Sequence, residues 1–321
     1  QHNIAPSLEL DAGKALSIEP DLSPKARPES FVTAWSELLP KAMRSNSNLV
    51  VLDADLSYDT GTYIAREEFS ERYIQAGIAE QDMVSLAGTL ALSGFIPIVH
   101  SFATFMSMRP TEQIFNNLTE RTRIIYCGFL AGLIPAAPGF SHQAVTDVGI
   151  FLSLPTIDVI EPSCVEELKA ALDFSIANPH STYIRVNSIG NPETKTLPFF
   201  MPGNGVKRRD GENIAIISSG TTMLTQALEA AELLSQRQVD VGVYSYPFLG
   251  SIPSREFLNE LSAYSVVLVL ENHLPGLGNF QVLRESLKAN KVVRMGVEEI
   301  PKNGRNDEVL AFHNLDAESI A

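Results

Sequence analysis

The chain has 321 residues, 45% of them hydrophobic and 19% charged, which is enough to build about two ordinary domains and too ordered a balance for a disordered protein. Its 24 Lys and Arg against 38 Asp and Glu give a net charge of -14, a poor match to a nucleic-acid backbone. Cys127 and Cys164 are too few for a disulfide scaffold or a thiolate metal site, and neither a basic-then-apolar leader nor a run of about eighteen apolar residues occurs, so a cytoplasmic chain without a membrane span is expected.

Residues 1–28 mix Pro, Ser, Asp, Glu and Lys without a period and read as a flexible arm. From residue 29, short β-branched runs alternate with helix-like stretches. The expected strands are 48–53, 95–99, 123–126, 157–160 and 182–186, and the expected helices are 81–92, 110–118, 146–152 and 164–177. A turn-rich stretch follows, with Asn, Pro and Gly recurring, and it sets a linker at 191–212 between domains at 29–190 and 213–321. The second domain repeats the alternation, with strands at 214–217, 239–244 and 266–270 and helices at 220–236, 254–262 and 279–289. The expected fold class is therefore α/β, as two open-sheet domains.

The chemistry concentrates in Tyr73-Ile-Gln-Ala-Gly-Ile-Ala-Glu80-Gln-Asp-Met83, where a strand-like run enters an amphipathic helix with a carboxylate at the turn. An acid there, like Asp82 in the first turn, also reads as a helix cap favoured by the helix dipole. His142 and His273, each in a Gly-containing turn, read equally as solvated turn residues, and Phe102 and Phe105 as plain core.

Gly77-Ile-Ala-Glu80-Gln-Asp-Met83 resembles the glutamate motif of transketolases and deoxyxylulose-phosphate synthases, which use thiamine diphosphate. Further segments follow in the family's order. Leu52-Asp53-Ala-Asp55-Leu-Ser57 resembles the strand end facing the cofactor, Ser101-Phe102-Ala-Thr-Phe105-Met-Ser-Met-Arg109 the aromatic segment beside its pyrimidine, and Gly139-Phe-Ser-His142-Gln-Ala-Val-Thr-Asp147 the His-Gln loop. Ser218-Ser-Gly220-Thr-Thr-Met223 and Glu271-Asn-His273-Leu-Pro-Gly-Leu-Gly278 are similar to the last domain. The resemblance, covering about residues 30–300, implies a pyrimidine-binding domain followed by a C-terminal domain. It also implies cofactor contacts from Asp55, Leu56, Glu80, Phe102 and Phe105, with Glu80, His142 and His273 catalytic. Glu80 would favour the imino form of the cofactor by proton sharing with its ring nitrogen, and the histidines would handle substrate protons. His100 is a further residue able to line the site.

The Gly-Asp-Gly signature by which the family grips diphosphate through magnesium is missing; Arg209-Asp210-Gly211-Glu-Asn213 has neither its first glycine nor its spacing. The expectation is a transferase split over two chains: an N-terminal subunit holds magnesium and diphosphate, the two form an α2β2 heterotetramer, and a two-carbon ketol unit passes from a ketose or 2-oxo donor to an acceptor. Length points the same way, since 321 residues suit two domains of a three-domain enzyme. The family's His-Asp pair is replaced by Leu130-Ala131 within an apolar Gly128–Pro138 segment, and its phosphate-binding arginine by Asn187 or Ser188, with Arg185 earlier on the strand. Both suggest an acceptor less polar than a sugar phosphate. Two alternatives stay open: the beta chain of a 2-oxo acid dehydrogenase passing an acyl group to a lipoyl or thiol carrier, and a non-catalytic regulatory or binding module.

Overall fold

In the run Leu49-Val-Val-Leu-Asp53 every residue is buried, as a strand of a parallel sheet covered on both faces requires. Alternate side chains point to opposite faces: Leu49 and Val51 join one apolar cluster, Val50 and Leu52 another. The computed structural model describes residues 30–187, 200–287 and 291–321. The expected arm, part of the linker and the end of the 279–289 helix lie outside them.

The first domain alternates β1 (Leu49–Asp53), β2 (Tyr73–Gln75), β3 (Ile96–Phe102), β4 (Ile125–Phe129), β5 (Ile157–Ile160) and β6 (Ser181–Val186) with seven α-helices. These are α1 (Phe31–Ser45), α2 (Tyr63–Glu68), α3 (Glu80–Leu92), α4 (Ala103–Met108), α5 (Thr111–Thr119), α6 (Asp147–Leu152) and α7 (Val165–Ala177). The second carries β7 (Val206–Arg209), β8 (Ile214–Ser218), β9 (Val241–Ser245), β10 (Phe248–Leu249), β11 (Val266–Glu271) and β12 (Lys291–Gly296). Its helices are α8 (Gly220–Gln236), α9 (Arg255–Leu261), α10 (Asn279–Ser286), α11 (Asn306–Phe312) and α12 (Ala317–Ile320). The first sheet runs β10-β5-β6-β4-β3-β1-β2 and the second β12-β11-β8-β9-β7; only β10 and β7 are antiparallel to their neighbours. The two α/β domains expected from the sequence are present.

On one face of the first sheet, α1 and α7 bury Phe31, Trp35, Leu39, Leu168 and Leu172. On the other, α3, α5 and α6 bury Met83, Val84, Ile114, Leu118 and Phe151. Ser30 caps α1 by accepting the Thr33 amide at 3.2 Å, and the helix buries its residues at four-residue spacing. From β1 the chain pairs with β2 on one side and β3 on the other, so a crevice opens where the strand order reverses, at the strands' carboxyl ends.

Part of the expected linker is sheet. Val206 is buried and pairs with Ser245, while Arg208 reaches Glu167 and Ser245; as an edge strand, β7 needs only one apolar residue inward. The segment around β10 likewise returns to the first sheet, where Phe248 pairs with Ile160.

The domains are joined by a sealed polar cluster. Arg185 is fully buried and donates to Asp147 at 2.8 Å, Glu161 at 2.6 Å, Asn272 at 2.6 Å and the Ala144 carbonyl at 2.8 Å. Leu133, Ile134, Ala136 and Val145 of the first domain pack into the core of the second. Within the apolar segment Gly128–Pro138, Leu133, Ile134 and Ala136 face this junction, whereas Phe129 and Leu130 pack in the core of the first domain. No helix among the described residues is long and apolar enough to cross a membrane.

Candidate active site

Three carboxyl ends converge at the crevice. After β1, Asp55 takes a left-handed conformation (φ 64°) and its amide donates to Gln75 Oε1 at 2.8 Å; the Gly77 amide donates to the same oxygen at 3.0 Å. Gln75, at the end of β2, thus ties the β1 loop to the turn before Glu80. Buried Asp53 holds the same loop from beneath, accepting from the Leu56 amide at 2.7 Å, Thr60 at 3.1 Å and Thr62 at 3.0 Å. Leu56 rests half-buried on the cluster that contains Phe102 and Phe105.

Glu80 opens α3 and is only 3% exposed, yet it lines a cleft of about 510 Å³ with Ile78, Ala79, Gln81, Asp82 and Arg109. Its Oε1 accepts from Ser101 Oγ at 3.2 Å and from Arg109 at 2.6 Å. Both partners meet one oxygen, so that among the described residues Oε2 is left for a further partner. The Arg109 guanidinium also lies over Phe105, 3.8 Å from the ring centroid. Phe102 and Phe105 stand 5.7 Å apart, and the His142 ring meets them at 5.8 and 5.1 Å. The His142 Nδ1 lies 3.0 Å from Ser141 Oγ.

The structure therefore brings Phe102, Phe105 and His142 together, with Arg109 linking Phe105 to Glu80 and with Asp55 and Leu56 following the end of β1. Arg109, Ser101 and Gln75 also belong there. Their partners lie 29, 21 and 20 positions away in sequence, so only the fold reveals the pairing. Among the described residues His273 makes none of these contacts, although the Leu274 amide beside it donates to the Val145 carbonyl of the His142 loop at 2.9 Å. It is 3% exposed, with Nδ1 2.9 Å from the Leu274 carbonyl and Nε2 3.7 Å from Glu271, which is itself bound to Arg294 at 2.7 Å.

His100 does not line the site. It is fully buried, accepts the Trp35 indole N–H at Nε2 (3.0 Å), and sets Nδ1 3.3 Å from the Leu52 carbonyl. Burial pushes its pKa down to about 4, against the opposing pull of Asp53 and nearby carbonyls, so the ring is neutral at pH 7.

The model of the transketolase pyrimidine-binding domain matches residues 29–189, and that of the transketolase C-terminal domain matches residues 203–320. The chain belongs to the transketolase family. It is 30% identical over 294 residues to a protein of Methanocaldococcus jannaschii described as a transketolase C-terminal section, covering 89% of this chain and 92% of that one. It is 25% identical over 305 residues to the 1-deoxy-D-xylulose-5-phosphate synthase of Clostridium tetani, covering 93% of this chain but 49% of the synthase; the chain spans about half the length of such relatives. Among solved structures, a split-gene transketolase described as an inactive beta4 tetramer matches with a TM-score of 0.79 at 28% identity, over 91% of this chain and 96% of that one. A transketolase of Campylobacter jejuni shares the fold, with a TM-score of 0.79 at 16% identity over 92% of this chain and 46% of that one. The chain is thus a transketolase-like C-terminal section, and membership of the family implies use of thiamine diphosphate.

The transketolase-like cleft suits one end of that cofactor. A buried acid whose two bonds among the described residues fall on one oxygen can meet a ring nitrogen, and the paired phenylalanines offer an apolar surface to a flat ring. For the diphosphate end, no group of three or more His, Cys, Asp or Glu among the described residues is placed to hold a metal ion.

Proposed function

We propose that this chain is the pyrimidine-side subunit of a two-component, thiamine-diphosphate-dependent transketolase-like transferase, moving a two-carbon ketol unit from a ketose or 2-oxo donor to an acceptor. The observation that carries the reading is Glu80, buried at the first turn of α3, lining the cleft and bonded among the described residues through Oε1 alone. When bound, the cofactor supplies a nucleophilic carbon that takes up and hands on the transferred unit. Glu80 would face the pyrimidine nitrogen and share a proton with it. Phe102 and Phe105 would orient the ring and exclude water, with Leu56 and the Asp55 loop bordering it. His142, packed on both phenylalanines, moves protons at the substrate oxygens. His273 is a weaker candidate for that role, since its ring is shut in beside Glu271.

A partner subunit holds the diphosphate and magnesium in an α2β2 assembly. The split-gene relative of similar span, described as an inactive beta4 tetramer, supports a chain of this kind being inactive by itself. The acceptor is less polar than a sugar phosphate: Arg185 is consumed by the domain junction and unavailable to a phosphate.

The test is Glu80→Gln in the reconstituted pair. Turnover falls by about 10²-fold or more, the range for loss of a positioned acid, while the fold is kept. Unchanged turnover overturns the reading, and a strong preference for ribose 5-phosphate overturns its acceptor part.

A further inference from the structure

The turn that carries His142 has little of its own to hold it. Phe140 is 63% exposed, Ser141 is exposed, and the turn closes through one bond, from the His142 amide to the Gly139 carbonyl at 2.9 Å. Within the first domain the Gly139 amide also donates to the Ala136 carbonyl at 3.0 Å and the Gln143 side-chain amide to the Leu133 carbonyl at 2.8 Å, and further ties come from the second domain, from the stretch between β12 and the start of α11. The Phe140 amide donates to Asn303 Oδ1 at 3.1 Å, the Ala136 amide to Asn306 Oδ1 at 2.9 Å, and the Gln143 side-chain amide to the Lys302 carbonyl at 3.0 Å. Gly139, at φ +87°, lies against the Asn303 side chain: a Cβ there would come within 3.3 Å of Asn303 Nδ2. The stretch is itself fixed. The Lys302 amide donates to His313 Nε2 at 3.2 Å, the Lys302 ammonium lies 4.6 Å from the centre of the Phe312 ring, and Asn306 begins a helix that buries Val309 and Leu310 in the second core.

We infer that Asn303 and Asn306 are positioning residues of the active site: through them the C-terminal domain sets the turn that holds His142 against Phe102 and Phe105. The assignment rests on His142 serving the reaction proposed above. Neither asparagine lines the cleft; Asn306 accepts the partly buried Ala136 amide and Asn303 the Phe140 amide at the surface, so losing the Asn303 acceptor removes the modest net weight of one hydrogen bond from the turn. Removing the Asn303 acceptor therefore frees the turn and lets the imidazole leave the aromatic wall, while the Glu80 side of the site is untouched.

Asn303→Leu keeps the branched outline and loses the acceptor; Asn303→Asp keeps an acceptor oxygen. Hydrogen exchange over residues 136–143, followed by mass spectrometry on the full chain alone, should quicken about five-fold in Asn303→Leu, the weight of one hydrogen bond, and return toward the wild-type rate in Asn303→Asp. In the reconstituted pair, kcat should fall about five-fold in Asn303→Leu with cofactor affinity unchanged, and recover in Asn303→Asp. Unchanged exchange in Asn303→Leu overturns the inference, and so does faster exchange with unchanged kcat. An inactive wild-type pair would sink the proposed function, whereas the exchange data on the lone chain would still decide whether Asn303 holds the turn.

Discussion

His100 is buried neutral at the centre of the first sheet, and acid should destabilise the chain through it. The folded-state pKa is about 4, lowered by burial, against an ordinary value of 6.5. Between those values the unfolded chain binds the proton and the folded chain does not. The stabilisation is therefore whole above about pH 6.5 and is lost as the pH falls toward 4. At pH 5 the loss is about 2 kcal/mol, approaching about 3 kcal/mol below pH 4, a sizeable share of the roughly 5–15 kcal/mol that holds a domain together. Trp35 is the only tryptophan and donates its indole N–H to His100, so denaturant unfolding followed by its fluorescence reports on this site. Carboxylates also titrate in this window, and His100→Gln is the control: the amide can accept from Trp35 and donate to the Leu52 carbonyl without titrating. Wild type should lose about 2 kcal/mol more than His100→Gln between pH 7.5 and pH 5. Parallel stability curves for the two proteins would refute the reasoning.

Arg185→Ala strands two buried carboxylates, Asp147 and Glu161, together with Asn272 and the Ala144 carbonyl; it should cost about 3–5 kcal/mol in urea unfolding, and a loss under about 1 kcal/mol would contradict the account of the domain junction. Cys127 and Cys164 are fully buried, and burial pushes the Cys127 thiol up, so a thiol reagent such as dithionitrobenzoate should label neither in the native chain and both in denaturant. Rapid native labelling of either would contradict that packing.

Much of the architecture was legible because its strands are buried on both faces and so appear as short β-branched runs. The helix from Gly220 to Gln236 was read to the residue, and most other elements within a few positions. The edge strands were not legible: Val206-Lys-Arg-Arg209 has one inward apolar residue and the character of a linker, while Phe248 and Leu249 make too short a run to register. Pro97 sits inside a central strand, against the usual expectation, and does so one residue before β4 joins. Helix α1 did carry a signal, with Phe31, Trp35, Leu39 and Met43 at fourfold spacing, but adjoined the stretch taken as an arm. In the site, Glu80 and the phenylalanines stood out as local strings in a recognisable order. The ion pair of Arg109, the burial of Arg185 and the ties from Asn303 join residues 24 to 163 positions apart, and only the folded chain determines such pairs.

The central claim is that this chain supplies the ring-binding half of a thiamine diphosphate site whose phosphate-binding half lies on a second subunit. Calorimetric titration of thiamine diphosphate with magnesium into this chain alone, the N-terminal partner alone and the reconstituted pair tests it most directly. The account predicts tight, stoichiometric binding by the pair alone, weakened when Glu80 is replaced by Gln. Equally tight binding by the lone chain, or binding by the pair that ignores Glu80→Gln, would contradict it.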